Sequence, residues 1–148
     1  MTSVSPADAE RFVEQFATGW AMGSRDAFLT FFEPLIDPQV RLEQPPFPAR
    51  QGWDEFRGFF DELFDAIPDL TGEVRGWRPT GTGASVDLEL TGTLAGRRIR
   101  LTSRDELALR DGRLLARRAV LERRGLLRIA AHPSTFPALV RLIRRPSR

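Results

Sequence analysis

The sequence predicts an α+β fold: a curved, mostly antiparallel sheet with three N-terminal helices packed on its concave face, and a C-terminal helical extension. Three observations carry this prediction. Apolar residues recur at helical spacing as far as Ile67 and alternate with polar residues thereafter. The alternating half is punctuated by turn signals, above all Asp111-Gly112. The chain has 148 residues, 41% hydrophobic and 28% charged, a globular composition long enough to bury a sizeable core.

Each element follows in order. Ser5-Pro6-Ala7-Asp8 opens the first helix with a Ser cap, proline at the first helical position and an acid in the first turn. Phe12, Phe16 and Trp20, four residues apart with Val13 beside them, form its apolar stripe. Gly23 ends that helix. Ser24 caps a second, carrying Phe28, Leu29, Phe31, Phe32 and Leu35 and closed by Pro34 and Pro38. Val40 to Gln44 reads as a short strand halted by Pro45-Pro46. A third helix over residues 53–67 turns Phe56, Phe59, Phe60, Leu63, Phe64 and Ile67 inward.

The strands begin weakly at Val74 to Trp77. After a turn at Gly81-Thr82-Gly83, the residues Val86, Leu88 and Leu90 alternate with Asp87, Glu89 and Thr91. A hairpin at Ala95-Gly96 leads into an inward stripe of Ile99, Leu101, Ser103, Asp105, Leu107 and Leu109. The return strand after Asp111-Gly112 runs to about Glu122. Residues 125–145 read as two short helices broken at Pro133, with Arg141, Arg144 and Arg145 on an amphipathic end. No repeat or linker divides the chain, so residues 1–148 are expected as a single domain. Its core is about 8–122 and its helical extension 123–148.

Composition excludes several chemistries. Without cysteine there is no disulfide framework, thiol nucleophile or thiolate metal site, and His132 alone cannot build a histidine metal centre. Neither a metal nor a cofactor is expected. The isoelectric point of 10.7 suggests nucleic acid, yet the net charge is only +2 and every basic residue is Arg, which inflates that value. Residues 1–96 hold 7 Arg against 16 acids and residues 97–148 hold 15 against 4. Acidic helices lying against an Arg-rich sheet account for this asymmetry without a nucleic-acid partner. The start of the chain lacks a basic stretch followed by an apolar run, and no stretch approaches a membrane-spanning length, so a cytoplasmic setting is expected. Membrane contact by the C-terminal helix is the disfavoured reading. Packing as a pocket lid or against the barrel is preferred.

The element order and several local motifs resemble the nuclear transport factor 2-like superfamily, in its SnoaL-like polyketide cyclase and ketosteroid isomerase-like branches. The residues concerned are Trp20-Ala-Met-Gly23, Gln44-Pro45 with the helix start at Gly52, Ile67-Pro-Asp69, Thr91-Gly-Thr93 and Asp111-Gly-Arg-Leu114. They cover about residues 8–122. The resemblance implies a cone-shaped barrel with one deep pocket for a small apolar or aromatic ligand, often in a homodimer, and isomerase, cyclase or hydrolase chemistry without a cofactor. A non-catalytic binding or dimerisation scaffold of the same fold is the alternative. Carried over residue by residue, the family's base position falls on Gln44 and its oxyanion-hole tyrosine on Phe16. The acid of the last strand falls on Ala119, and only one family acid is matched, by Asp105.

Asp105 lies within an inward apolar stripe, where an isolated carboxylate is costly. Its cross-strand neighbour therefore matters. A two-residue turn at Asp111-Gly112 sets it opposite Arg118; a three-residue loop with a bulge sets it opposite Arg117. Either arginine makes Asp105 a charged pair first and a base or ligand orienter second. The candidate catalytic set is therefore Asp105, Arg117 and Arg118. The candidate substrate-binding set is Phe16, Trp20, Gln44, Phe60, Trp77, Ser103 and Ala119, of which the aromatics read as core before ligand platform.

Overall fold

The computed structural model describes residues 3–144; Arg145 and the three residues after it, the end of the expected extension, lie outside the described residues. Helices α1 (Pro6–Trp20) and α2 (Arg25–Phe32) precede a short 3-10 turn at Glu33–Leu35 and strand β1 (Ile36–Glu43). Strand β2 (Arg50–Gln51) and helix α3 (Trp53–Ala66) follow. Four long strands come next, β3 (Thr71–Thr80), β4 (Gly83–Leu94), β5 (Arg97–Arg110) and β6 (Arg113–Leu121). Helices α4 (Arg123–Ala131) and α5 (Phe136–Arg144) close the order. The six strands form one sheet in the order β2-β1-β6-β5-β4-β3, antiparallel except where β1 runs parallel to β6. This is the α+β cone expected from the sequence.

Local chemistry explains the boundaries. Ser5 Oγ accepts from the Asp8 amide at 3.1 Å and Ser24 Oγ from the Ala27 amide at 3.4 Å, so both helix starts are side-chain capped. Two strands exceed their sequence reading. β1 begins at Ile36 and runs through Pro38, which falls where the pairing with β6 is irregular, between Ile36 and Arg41. Proline removes no ladder bond at such a place. β3 extends from Thr71 to Thr80 because β4 pairs with it along its whole length; as the sheet's edge strand it also tolerates Pro79.

The concave face carries an aromatic core. Phe28 packs against Trp20, Phe32, Phe60 and Phe64 with ring centroids 4.7–5.2 Å apart, and Phe16 meets Trp20 edge-on at 6.2 Å. Gly92, in the Thr91-Gly-Thr93 motif, lets β4 close on the end of α3: a Cβ there would sit 2.3 Å from Ile67 Cγ2. Part of the charge asymmetry is met within the chain, through strands and turns rather than helices. Asp37 pairs with Arg110, Asp69 with Arg98 and Asp87 with Arg104.

The C-terminal helices complete the enclosure. β6 stops opposite Ser103, which leaves the first half of β5 without a neighbour on that side. α4 occupies the place, with Gly125 close against Arg100 and Leu101, while α5 packs on α3. Ile129, Leu139 and Leu142 are thereby buried.

Candidate functional site

The chemistry-bearing residues meet where β1, β5 and β6 lie side by side. Their facing is decided by one extra residue in β6. Arg110 pairs with Arg113 across the two-residue turn at Asp111-Gly112, and both turn residues have positive φ (53° and 76°). Leu109 then pairs with Leu114, but Ala108 pairs with Ala116, so Leu115 is bulged out of the ladder. Beyond the bulge the alternation shifts phase, turning Arg117, Ala119 and Leu121 inward.

Both sequence alternatives for the cross-strand neighbour of Asp105 are therefore corrected. The residue directly opposite is Ala119, while Arg118 is opposite Glu106 and Arg117 opposite Leu107. Arg117, two residues from Ala119 on the same face, reaches Asp105 diagonally. Its Nε donates to Asp105 Oδ2 at 2.8 Å, and both side chains are almost fully buried, at 2% and 0% exposure. Arg118 faces out: its side chain is 60% exposed and lies 3.6 Å from Glu43 on β1.

The pair is part of a longer chain of hydrogen bonds. Ser103 Oγ donates to Asp105 Oδ1 at 2.8 Å, so both carboxylate oxygens hold a donor. Arg117 Nη1 donates to Gln44 Oε1 at 2.8 Å, and the guanidinium carbon sits 5.5 Å from the centroid of the Trp20 ring. Arg117 Nη2 is buried and has no acceptor among the described residues. A buried donor without a partner carries its desolvation cost uncompensated. A second buried arginine, Arg50 on β2, pairs with Glu62 at 3.1 Å over the Phe59 ring, and its own Nε has no acceptor among the described residues.

The interior cavity is small, about 30 Å³, room for a water or two but not for a metabolite. Leu63 of α3, Leu90 and Ile99 of the sheet, and Ile129, Leu139 and Leu142 of the C-terminal helices form its apolar walls. Gln44 and Thr91 are the polar side chains among its lining residues.

Of the candidate substrate-binding residues, Gln44 alone borders this cavity. Phe16, Trp20 and Phe60 are packed core, and Ser103 and Ala119 lie buried beside Asp105. Trp77 is 37% exposed: it stands on edge strand β3, with β4 between it and β5, and no further strand covers that side. His132 forms the α4–α5 turn, its Nδ1 accepting from the Ser134 amide at 3.1 Å. Leu139 and Leu142, three apart on the amphipathic run expected to pack as a pocket lid or against the barrel, line the cavity together with Ile129 of α4.

Comparison with known proteins bears on this arrangement. A family model for the SnoaL-like domain matches residues 13–117. No curated protein matches the sequence. Among solved structures, one from Jannaschia sp. CCS1, whose name likens it to SnoaL-like polyketide cyclases, is 18% identical. That match covers 99% of each chain, with a TM-score of 0.70. An LEH-like epoxide hydrolase from M. tuberculosis is 12% identical over 93% of this chain and 96% of its own, with a TM-score of 0.69. A Catenulispora acidiphila protein with a ketosteroid isomerase-like fold, in complex with trimethylamine, is 13% identical. It covers 83% of this chain and 94% of its own, also with a TM-score of 0.69. At such identities the neighbours speak for the fold, and the family model, spanning more than two-thirds of the residues, speaks for descent. The chain belongs to the SnoaL-like domain family of the nuclear transport factor 2-like superfamily.

Proposed function

We propose that this chain is a small-molecule pocket protein that takes an apolar ligand bearing one acceptor oxygen. In this reading Gln44, held by Arg117, is the polar anchor, and α4 and α5 form the wall that yields to admit the ligand. The observation that carries it is Gln44 on the wall of an apolar cavity, its carbonyl oxygen held by the buried Arg117. Gln44 Oε1 already accepts from Arg117, so its amide NH2 is the group left for a ligand. An amide donor on an otherwise apolar wall, held in place by Arg117 behind it, suits a carbonyl.

Binding is favoured over isomerase, cyclase or hydrolase chemistry. Asp105 has a donor on each oxygen, is fully buried and does not border the cavity. Phe16 lacks a hydroxyl, Gln44 is no base, and Ala119 has no acid. In this reading Asp105 is a positioning residue for Arg117. The test compares para-methylacetophenone with para-ethyltoluene by NMR titration. The ketone is expected to shift the Gln44 side-chain amide and to bind more tightly than the hydrocarbon. Equal binding, or no shift at Gln44, would refute the anchor. Turnover of a ketone probe that is abolished in Asp105→Asn would restore the catalytic reading.

A homodimer through the outer face of the sheet belongs to the same proposal. Val120 is 49% exposed there, beside a shallow depression rimmed by Arg75, Arg104 and Arg118 and by Asp87, Glu106 and Glu122. Alternating charges around an apolar centre can match a second copy about a two-fold axis. Sedimentation should give a dimer that Val120→Arg dissociates; a wild-type monomer would end this part of the reading. The cytoplasmic setting expected from the sequence goes with this proposal. No helix among the described residues is long and apolar enough to cross a membrane.

A further inference from the structure

A second cavity abuts the first. On the outer side of the apolar cavity, between the start of β5 and α4, lies an open cleft of about 390 Å³. Thr91, Ile99 and Ile129 line both spaces, so the two share a wall. The characters of the two are opposite. The inner cavity is walled by aliphatic side chains, whereas Arg97, Arg98, Arg100 and Arg128 line the cleft, and none of its lining residues is acidic. Arg98 is engaged by Asp69 at 3.3 Å. Arg97, Arg100 and Arg128 have no ion-pair partner among the described residues.

We infer that the cleft is the head-group subsite of the pocket, and that the ligand is an amphipathic small molecule with a carboxylate or phosphate at its outer end. This rests on the pocket reading above and adds the ligand's charge and polarity order: carbonyl innermost, apolar body next, anion outermost. The physical grounds are these. Arginine forks match carboxylate and phosphate oxygens two at a time. The deep anchor cannot welcome an anion, because Asp105 already balances Arg117 and a further negative charge would be buried uncompensated. The cleft has the reverse balance, three arginines in excess and open to solvent, where an anion keeps part of its hydration. A cleft of this volume lies within the range of small-ligand sites.

The experiment uses the full chain and three probes of one shape: para-methylacetophenone, para-acetylbenzoate and para-acetylphenyl phosphate. Dissociation constants are measured by NMR titration at low and moderate salt. The two anions should bind at least about tenfold more tightly than the neutral ketone at low ionic strength, and salt should narrow the gap. Arg100→Gln and Arg128→Gln, both at exposed positions, should erase the preference while leaving the ketone's affinity unchanged. If the ketone binds but the anions gain nothing, or keep their advantage in both variants, the head-group inference falls and the pocket reading stands. If none of the three binds, both fall. Should inorganic phosphate bind at Arg100 as tightly as para-acetylphenyl phosphate, the cleft is an independent anion site and the continuity with the cavity is refuted.

Discussion

Asp105→Asn is the substitution whose consequence the geometry fixes best. The change keeps the shape and removes the charge. Arg117, 2% exposed and hydrogen-bonded through Nε, then becomes a buried cation without a counter-ion. Asn can still offer one oxygen to Arg117, and the Ser103 hydroxyl can turn to accept from the new NH2 group, so the loss is mainly electrostatic. Breaking a buried pair at one end costs about 3–5 kcal/mol. That is a large share of the roughly 5–15 kcal/mol that holds a domain together. At about 2–4 °C per kcal/mol for chains near this length, the midpoint should fall by about 6–20 °C. Thermal and urea melts followed by far-ultraviolet circular dichroism read this directly. The double variant Asp105→Leu with Arg117→Met removes both charges and should recover most of the stability, because well-packed apolar replacements of a buried pair are near neutral. A single variant within about 1 kcal/mol of wild type, or a double variant as unstable as the single, would refute the claim that the pair is held by mutual compensation.

Other outcomes follow from the same structure. Glu62→Gln strips the counter-ion from Arg50, itself only 2% exposed at the side chain, and should cost about 3–5 kcal/mol in a urea melt; Glu73→Gln, exposed on β3, should be silent. The Thr93 amide, 2.7 Å from Asp69 Oδ1, holds the Asp69 carboxyl below its ordinary value, assisted by the Thr93 hydroxyl and Arg98. The Gln39 amide does the same for Asp37, with Arg110 in support. The folded state therefore binds these protons less readily than the unfolded chain. Their stabilisation is complete above the unfolded value of about 3.9 and is lost as pH falls through the lowered folded values. Asp69→Asn should flatten the acid limb of the stability–pH profile, and an unchanged limb would count against the assignment. Gly92→Ala forces a methyl onto Ile67 and should cost about 1–3 kcal/mol, measurable as a shifted urea midpoint at unchanged slope.

The sequence by itself determined the fold and the facing of Asp105. Helical and two-residue periods are local properties, and a residue inside a continuous stripe such as Ile99, Leu101, Leu107 and Leu109 points where its neighbours point. The turn at Asp111-Gly112 was legible for the same reason, since its residue types specify a left-handed backbone. Tertiary structure decided what Asp105 meets. Leu115 is bulged where β6 also takes β1 as a parallel neighbour, with Leu42 beside Arg117 and Glu43 beside Arg118. That single extra residue exchanges which arginine enters the core, and no local pattern in Leu114 to Arg118 announces it. The end of β6 opposite Ser103 likewise left an edge for α4 to cover, which decided where the amphipathic helices, expected as a lid or against the barrel, dock. Period decides facing, but pairing register and the filling of space depend on residues far apart in the chain.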